Sequence, residues 1–426
     1  MKAKRLRVLC ACLGAAASAC GDDASEAPGA ADVTGGAGAD SNALSDGPPM
    51  DTGEPGAGTS TGGDATTAAG SGGDGSDGSS SGGPGDSDEL ESFWDPDGTV
   101  IYADQATMPQ IEAASPGDVL LFEPGEHDRI DIDGFVSSEC DPLVLVSLDP
   151  DNPAIIRNTT NPGWETLGVA NSSYVVIENL ILEGGISGIR IEESDHAIIT
   201  RSEIRLTNHA GLNINTASAH VDFIGNSIHD TGQSEPKWGE GIYVGSAQAQ
   251  QKDGPDVTTH VWIENNEIYE TGYGEAVDLK GGVRHTTVRG NHIHDIRLGI
   301  ENDQTNEAAI VMGFESSEPA ENWVEFNLVE DVSWGGGGED ARPNVGASGI
   351  AAFGGGNYLH HNTVRNVLEY GVFFHGYMDP GFFVREWDNT VENAGYEDFR
   401  DGGLIDLTRS DPGFSNPNAR QQWCAG

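Results

Sequence analysis

The sequence predicts an all-β fold: a single-stranded right-handed parallel β-helix with a short N-terminal cap, preceded by a disordered tether. Three observations predict it. A segment of the form apolar-x-apolar-x-x-Asn-x-apolar recurs through the C-terminal part of the chain. Its apolar residues alternate with a period of two, the period of a strand. Ahead of the first copy lies a long tract, residues 21–88, without a single Phe, Trp, Tyr, Lys or Arg.

From the beginning, Lys2, Lys4, Arg5 and Arg7 precede a short apolar run that ends in Ala17-Ser18-Ala19-Cys20. A basic start, a brief apolar stretch and small residues describe a secretory signal over residues 1–20, too short to span a bilayer. A Cys directly after small residues resembles the lipobox of bacterial lipoproteins. That resemblance implies lipidation of Cys20 and an exported lipoprotein at the outer membrane or cell surface, touching the membrane through its lipid anchor only. The alternative is an ordinary signal peptide. Residues 21–88, rich in Gly, Ser, Ala and Asp, cannot bury enough apolar surface to offset chain entropy and read as a flexible acidic linker.

Residues 89–426 are long enough to bury a large core as one elongated domain, expected as a monomer. The whole chain carries a formal charge of −48, and residues 90–426 hold 55 acids against 17 Lys and Arg, a net of −38. So acidic a body excludes nucleic acid as partner, because phosphate binding needs clustered cations. Most of these charges are expected on a solvated surface. Of the cysteines downstream of Cys20, only Cys140 and Cys424 remain. Pairing them in an exported protein would need a C-terminal tail that folds back along the stack.

The repeat carries Asn179, Asn226, Asn266, Asn291, Asn327, Asn362 and Asn389 at its marked place, with Ser202 in one copy. Most intervals are 23 to 27 residues, and the longer ones of 40, 36 and 35 are coils with loop insertions. No copy can bury its own apolar face, so copies stack about 4.8 Å apart, with stacked Asn residues forming a ladder. A second strand closes each coil, as in Gly188–Ile191, Gly211–Ile214, Gly241–Val244 and Ala276–Leu279. Alternation sends Ile242, Val244, Val277 and Leu279 inward. Arg190, Asn213, Tyr243 and Asp278 then form an outward row, and Glu192, Asn215, Gly245, Lys280 and His375 a second. Upstream, residues 113–127 read as a short helix, a turn and a first strand that cap the open end.

Residues 237–284 stand apart. They hold Lys237, Lys252 and Lys280, every lysine of residues 89–426. Two neighbouring coils carry matching segments, Gly239-Glu240-Gly241-Ile242-Tyr243-Val244-Gly245 and Gly274-Glu275-Ala276-Val277-Asp278-Leu279-Lys280. Stacked, they bring Glu240, Glu275 and Asp278 within reach of one cation, provided Glu275 still lies in the turn. Hard oxygen ligands of that kind suit Ca²⁺. Lys280 points the same way as Asp278. A cation, a base and a donor for the leaving oxygen are what β-elimination of a polyuronate requires. The expected base is Lys280, and the candidate donors are Tyr243, Arg284 and His375. On the blander alternative, Glu275 and Lys280 make a surface ion pair and Glu240 is an ordinary turn residue. The histidines, among them His209, His229, His292, His294, His360 and His361, read as ladder or turn positions. Trp238, Trp323, Trp334, Tyr377 and Trp387 read as sugar-stacking platforms or as loop anchors.

The N-terminal cap and the Asn-marked coils resemble the pectate-lyase-like β-helix superfamily across residues 93–410. The Glu275–Lys280 segment is similar to the acid-acid-Lys strand of the chondroitinase B and alginate lyase family. That resemblance implies an acidic polysaccharide as substrate, Glu240 and Glu275 as Ca²⁺ ligands, and Lys280 as the base. Non-catalytic carbohydrate binding or adhesion on the same scaffold is the competing expectation. A glycoside hydrolase is the third, and it would need a flanking carboxylate pair.

Overall fold

The computed structural model describes residues 99–420, apart from 104–106, 160, 162, 248–255, 302–303, 306–307, 314–319, 336–346, 354, 375–382, 403–405 and 419. All of these belong to one compact unit, Ser79–Gly426. The signal and linker expected over residues 1–88, with Cys20, lie outside the described residues. So do Lys252, His375, Tyr377 and Cys424.

The chain winds as a parallel β-helix. Among the described residues, three long sheets contain 12, 11 and 10 strands, here called sheets A, B and C. Each coil visits A, B and C in turn, and neighbours in every sheet come from successive coils in parallel register. One coil is Asp195–Thr200 in A, Glu203–Arg205 in B and Leu212–Asn215 in C. The interior is a column of stacked apolar side chains, including Ile199, Phe223, Ile263 and Val288 from A and Ile191, Ile214, Val244 and Leu279 from C. At the N-terminal end the helix Met108–Ala113 and the strand Thr99–Tyr102 cover the first coil, with Ile111 packed into the core.

The expected Asn ladder forms, with two differences in detail. Each ladder Asn sits at the corner between A and B, so every coil has three strands rather than the two read from sequence. The side-chain Oδ1 of Asn266 accepts the backbone N–H of Asn226 at 2.9 Å and its side-chain amide at 3.2 Å. The same pairing continues through Asn291, Asn327, Asn362 and Asn389. Before it, Ser202 donates its backbone N–H to Asn226 at 2.9 Å. Asn179 is not in the ladder. Leu180 holds the equivalent place, and Asn179 lies one residue earlier at φ 52°. That preceding place has positive φ in successive coils, at Arg201, Gly225, Asn265, Gly290, Phe326, His361 and Asp388. A left-handed residue turns the chain sharply from A into B, and the ladder bonds hold the local strain.

The tail does fold back. Phe414 packs edge-on to Trp323 and Tyr358, Asn416 donates to Thr287 and Glu325, and Arg420 faces Asp222 at 3.5 Å. These partners lie on progressively earlier coils of sheet A. Cys140 is disulfide-bonded, and it is the single cysteine among the described residues. Trp323 and Trp387 are buried in this aromatic layer, so they are anchors and not platforms. Trp238 remains exposed.

Candidate active site on sheet C

Sheet C presents the outward row that alternation predicts. Arg190 pairs with Asn213, Asn213 with Tyr243, and Tyr243 with Asp278, while Val277 and Leu279 point into the core. Glu240 and Glu275 precede their strands, Ile242–Val244 and Val277–Leu279, in the connecting turns. The Gly241 N–H donates to the Glu275 carbonyl at 2.9 Å, which stacks one turn on the next. Gly274 permits that approach, because a Cβ there would meet the Glu240 backbone nitrogen at 2.6 Å. Glu275 escapes strict strand alternation for this reason, and its carboxylate joins the one from Asp278.

Carboxylate oxygens of Glu240, Glu275 and Asp278 all lie within 4.8 Å of one another. The three residues are only 5%, 7% and 1% exposed. Lys280 Nζ sits 2.5 Å from Asp278 Oδ2 and 5.0 Å from the centre of the Tyr243 ring. Among the described residues, Asp278 Oδ1 has no hydrogen-bond partner. Among the described residues, these three buried acids face the Lys280 amine.

The electrostatics follow from that arrangement. Burial, then the Asp278 charge, pushes the Glu240 carboxyl up to about 7. The same two causes hold the Glu275 carboxyl well above its usual range. Burial alone would depress the Lys280 amine, but Asp278, Glu275 and Tyr243 together raise it. Desolvation raises the Tyr243 phenol, and its oxygen accepts the Ala247 N–H at 3.0 Å. The chemistry available is a proton-bearing lysine and a neutral phenol beside acids that favour either a proton or a cation.

Arg284 lies in the turn after this strand, bridged to Thr259 at the start of a sheet A strand. His375 falls outside the described residues. The sequence reading overlooked Asp256. It accepts from Ser246 at 2.6 Å, from the backbone N–H groups of Thr216 and Ala217, and from Thr258. Burial would raise its carboxyl, yet these bonds hold it below the ordinary value. It ties the segment beside Tyr243 to the preceding coil. Nothing in the repeat marks it, since it lies in an insertion. A surface depression of 320 Å³ lined by Leu180, Arg201, Asn226 and Glu267 lies at the A–B corner rather than on sheet C.

Residues 146–313 match the family described as right handed beta helix region. No curated protein matches the sequence. Among solved structures, the chain is similar to an alginate lyase from Paenibacillus sp. str. FPU-7. That likeness has 19% identity, a TM-score of 0.60, and covers 72% of this chain and 99% of the other. It is also similar to the pectate lyase Pel9A, with 11% identity, a TM-score of 0.44, and 70% and 78% of the two chains covered. The catalytic domain of a GH87 α-1,3-glucanase in complex with tetrasaccharides gives 11%, 0.42, 75% and 69% for the same measures. Topology, family match and the alginate lyase likeness agree on the fold: a right-handed parallel β-helix.

Proposed function

We propose that this protein cleaves an acidic polysaccharide by β-elimination at the sheet C cluster. The observation that carries the reading is the packing of Lys280 and Tyr243 against three buried carboxylates. The fold shared with a protein named as an alginate lyase supports a polyuronate substrate. In this reading Lys280 takes the proton from the carbon that bears the uronate carboxyl. The electron pair forms the new double bond as the neighbouring carbon–oxygen bond breaks, and the Tyr243 hydroxyl gives its proton to the departing oxygen.

Glu240, Glu275 and Asp278 fit a Ca²⁺ ion as its ligands. Ligand oxygens at about 2.3–2.6 Å from one ion are separated by no more than about 5 Å, as these are, and Asp278 Oδ1 lacks another partner among the described residues. Such an ion would supply positive charge toward the uronate carboxyl and offset the acids that hold Lys280 protonated.

The test is a screen of polyuronates for unsaturated product by ultraviolet absorbance, with and without chelator. Lys280→Ala should lower the rate by about 10²–10⁴ while polymer binding persists. Tyr243→Phe should also slow cleavage. If wild type and Lys280→Ala cleave equally, Lys280 is not the base. If no polyuronate is cleaved but one is bound, the chain is a carbohydrate-binding protein.

A further inference from the structure

We propose that Glu267, His292 and His294 form a second metal site, for a zinc-class transition-metal ion, on the outer face of sheet B. The three residues come from adjacent strands, Glu267–Tyr269 and His292–His294, paired Glu267 to His292 and Tyr269 to His294. Strand alternation puts both histidines on the outward face, with Ile293 in the core between them. One carboxylate oxygen of Glu267 and one ring nitrogen of each histidine lie within 4.8 Å of one another. His294 Nε2 is 3.4 Å from Glu267 Oε1. Two ligand atoms on one tetrahedral zinc, each about 2.0–2.2 Å from the ion, are separated by about 3.4 Å. The carboxylate and imidazole therefore already stand at the spacing of two ligands on one ion.

A second observation is independent of that spacing. Each imidazole has another carboxylate behind it, Asp295 Oδ2 at 2.8 Å from His294 Nδ1 and Glu330 Oε1 at 2.8 Å from His292 Nε2. A carboxylate on one ring nitrogen is the usual outer partner of a metal-bound histidine. It fixes the tautomer and makes the other nitrogen a better ligand. Tyr269 stacks on the His294 ring at 5.1 Å and 5° between planes, and His229 stacks on Tyr269 at 4.8 Å, so the ring is held before any ion arrives.

Two imidazoles and one carboxylate favour zinc, copper or nickel over calcium, which takes oxygen. With Glu267 and His292 partly open to solvent, the remaining coordination position is accessible. Read alone, His292 and His294 look like ladder positions, because the third ligand comes from the coil before. This site is on a different sheet from the carboxylate cluster, and it stands or falls without the proposed activity.

The test uses the full, untagged chain stripped with chelator and titrated with ZnCl₂ by calorimetry and thermal unfolding. Saturable binding should raise Tm and persist in a Glu240→Gln variant, which separates it from the sheet C acids. His294→Ala and Glu267→Gln should each weaken binding at least about tenfold, and Asp295→Asn, acting on the outer partner, by about 10- to 100-fold. The exposed Glu267 keeps the test valid if the histidine variant fails to fold. Unchanged zinc affinity in Glu267→Gln and His294→Ala, or no preference for zinc over CaCl₂, would overturn the proposal and leave ordinary surface ion pairs.

Discussion

Replacing Glu240 with Gln tests the electrostatics of the sheet C cluster without touching the proposed base. In the folded chain the Glu240 carboxyl is pushed from 4.5 up to about 7, first by burial and second by Asp278. A shift of that size is linked to roughly 3 kcal/mol of stability, at about 1.4 kcal/mol for each pH unit. The sign follows from a raised folded value. The contribution is present in full below the unfolded value and is lost as pH rises through the folded value. Metal-free wild type should therefore lose up to about 3 kcal/mol between about pH 5 and pH 8 on account of this group. Gln keeps the shape and cannot ionise. Urea unfolding followed by tryptophan fluorescence, in chelator, should find Glu240→Gln more stable than wild type by about 2–3 kcal/mol near pH 8, and within about 0.5 kcal/mol near pH 5. Added CaCl₂ should close the gap by stabilising wild type alone. A variant destabilised equally at both pH values would refute the reasoning, because Glu240 would then be an ionised carboxylate held by partners.

Three further perturbations probe the scaffold. Asn291→Ala removes two bonds that its Oδ1 accepts from Asn266 and two that its side-chain amide donates, to the Ile263 carbonyl and to Asn327 Oδ1, and should cost about 2–4 kcal/mol by urea unfolding. Arg420→Ala deletes the guanidinium facing Asp222, whose carboxyl burial already pushes up to about 7; the loss of stability should grow as pH rises through neutrality and vanish in acid, measured by Tm. His220 and His260 lie in a stack running from Tyr174 to His285, and burial first, neighbouring histidines second, lowers both imidazoles. Their contribution is full above about pH 6.5 and is lost as pH falls through the depressed values, so His220→Gln should flatten the acid side of the Tm–pH curve.

The repeat was legible because each copy states its own role: the alternation names the core face and the Asn names the corner. The third strand of each coil was not, since strands such as Ser227–His229, Glu267–Tyr269 and His292–His294 are only three residues long and merge with the preceding strand across one left-handed residue. Asn179 reads as a ladder residue because local sequence cannot tell that corner residue from its neighbour. Contacts between coils were legible only where two coils carry matching text. Glu240 and Glu275 qualify, and their stacking follows from Gly239 and Gly274. Glu267 with His292 does not qualify, and neither does Asp222 with Arg420, for strand register and a returning tail bring them together.

The cluster on sheet C has two ways to become neutral, and they bear on the proposed chemistry. With both glutamates protonated, Asp278 and Lys280 are left as one closed ion pair, and the amine is held charged by a partner 2.5 Å away. With a divalent cation among the three carboxylates, their charges are offset by the ion and the lysine together. In the first state Lys280 cannot accept a proton. In the second, the cation has already claimed the carboxylate that held the amine, so Lys280 loses the partner that keeps it charged and can release its proton before it acts as the base. The Glu240 carboxyl, raised to about 7, puts the choice between these states near neutral pH, where protons and cations compete for the same oxygens, and Glu275 is shifted in the same direction. Burial of the acids makes a single cluster respond to both. Solvated carboxylates at the same spacing would stay ionised and leave Lys280 paired throughout the neutral range.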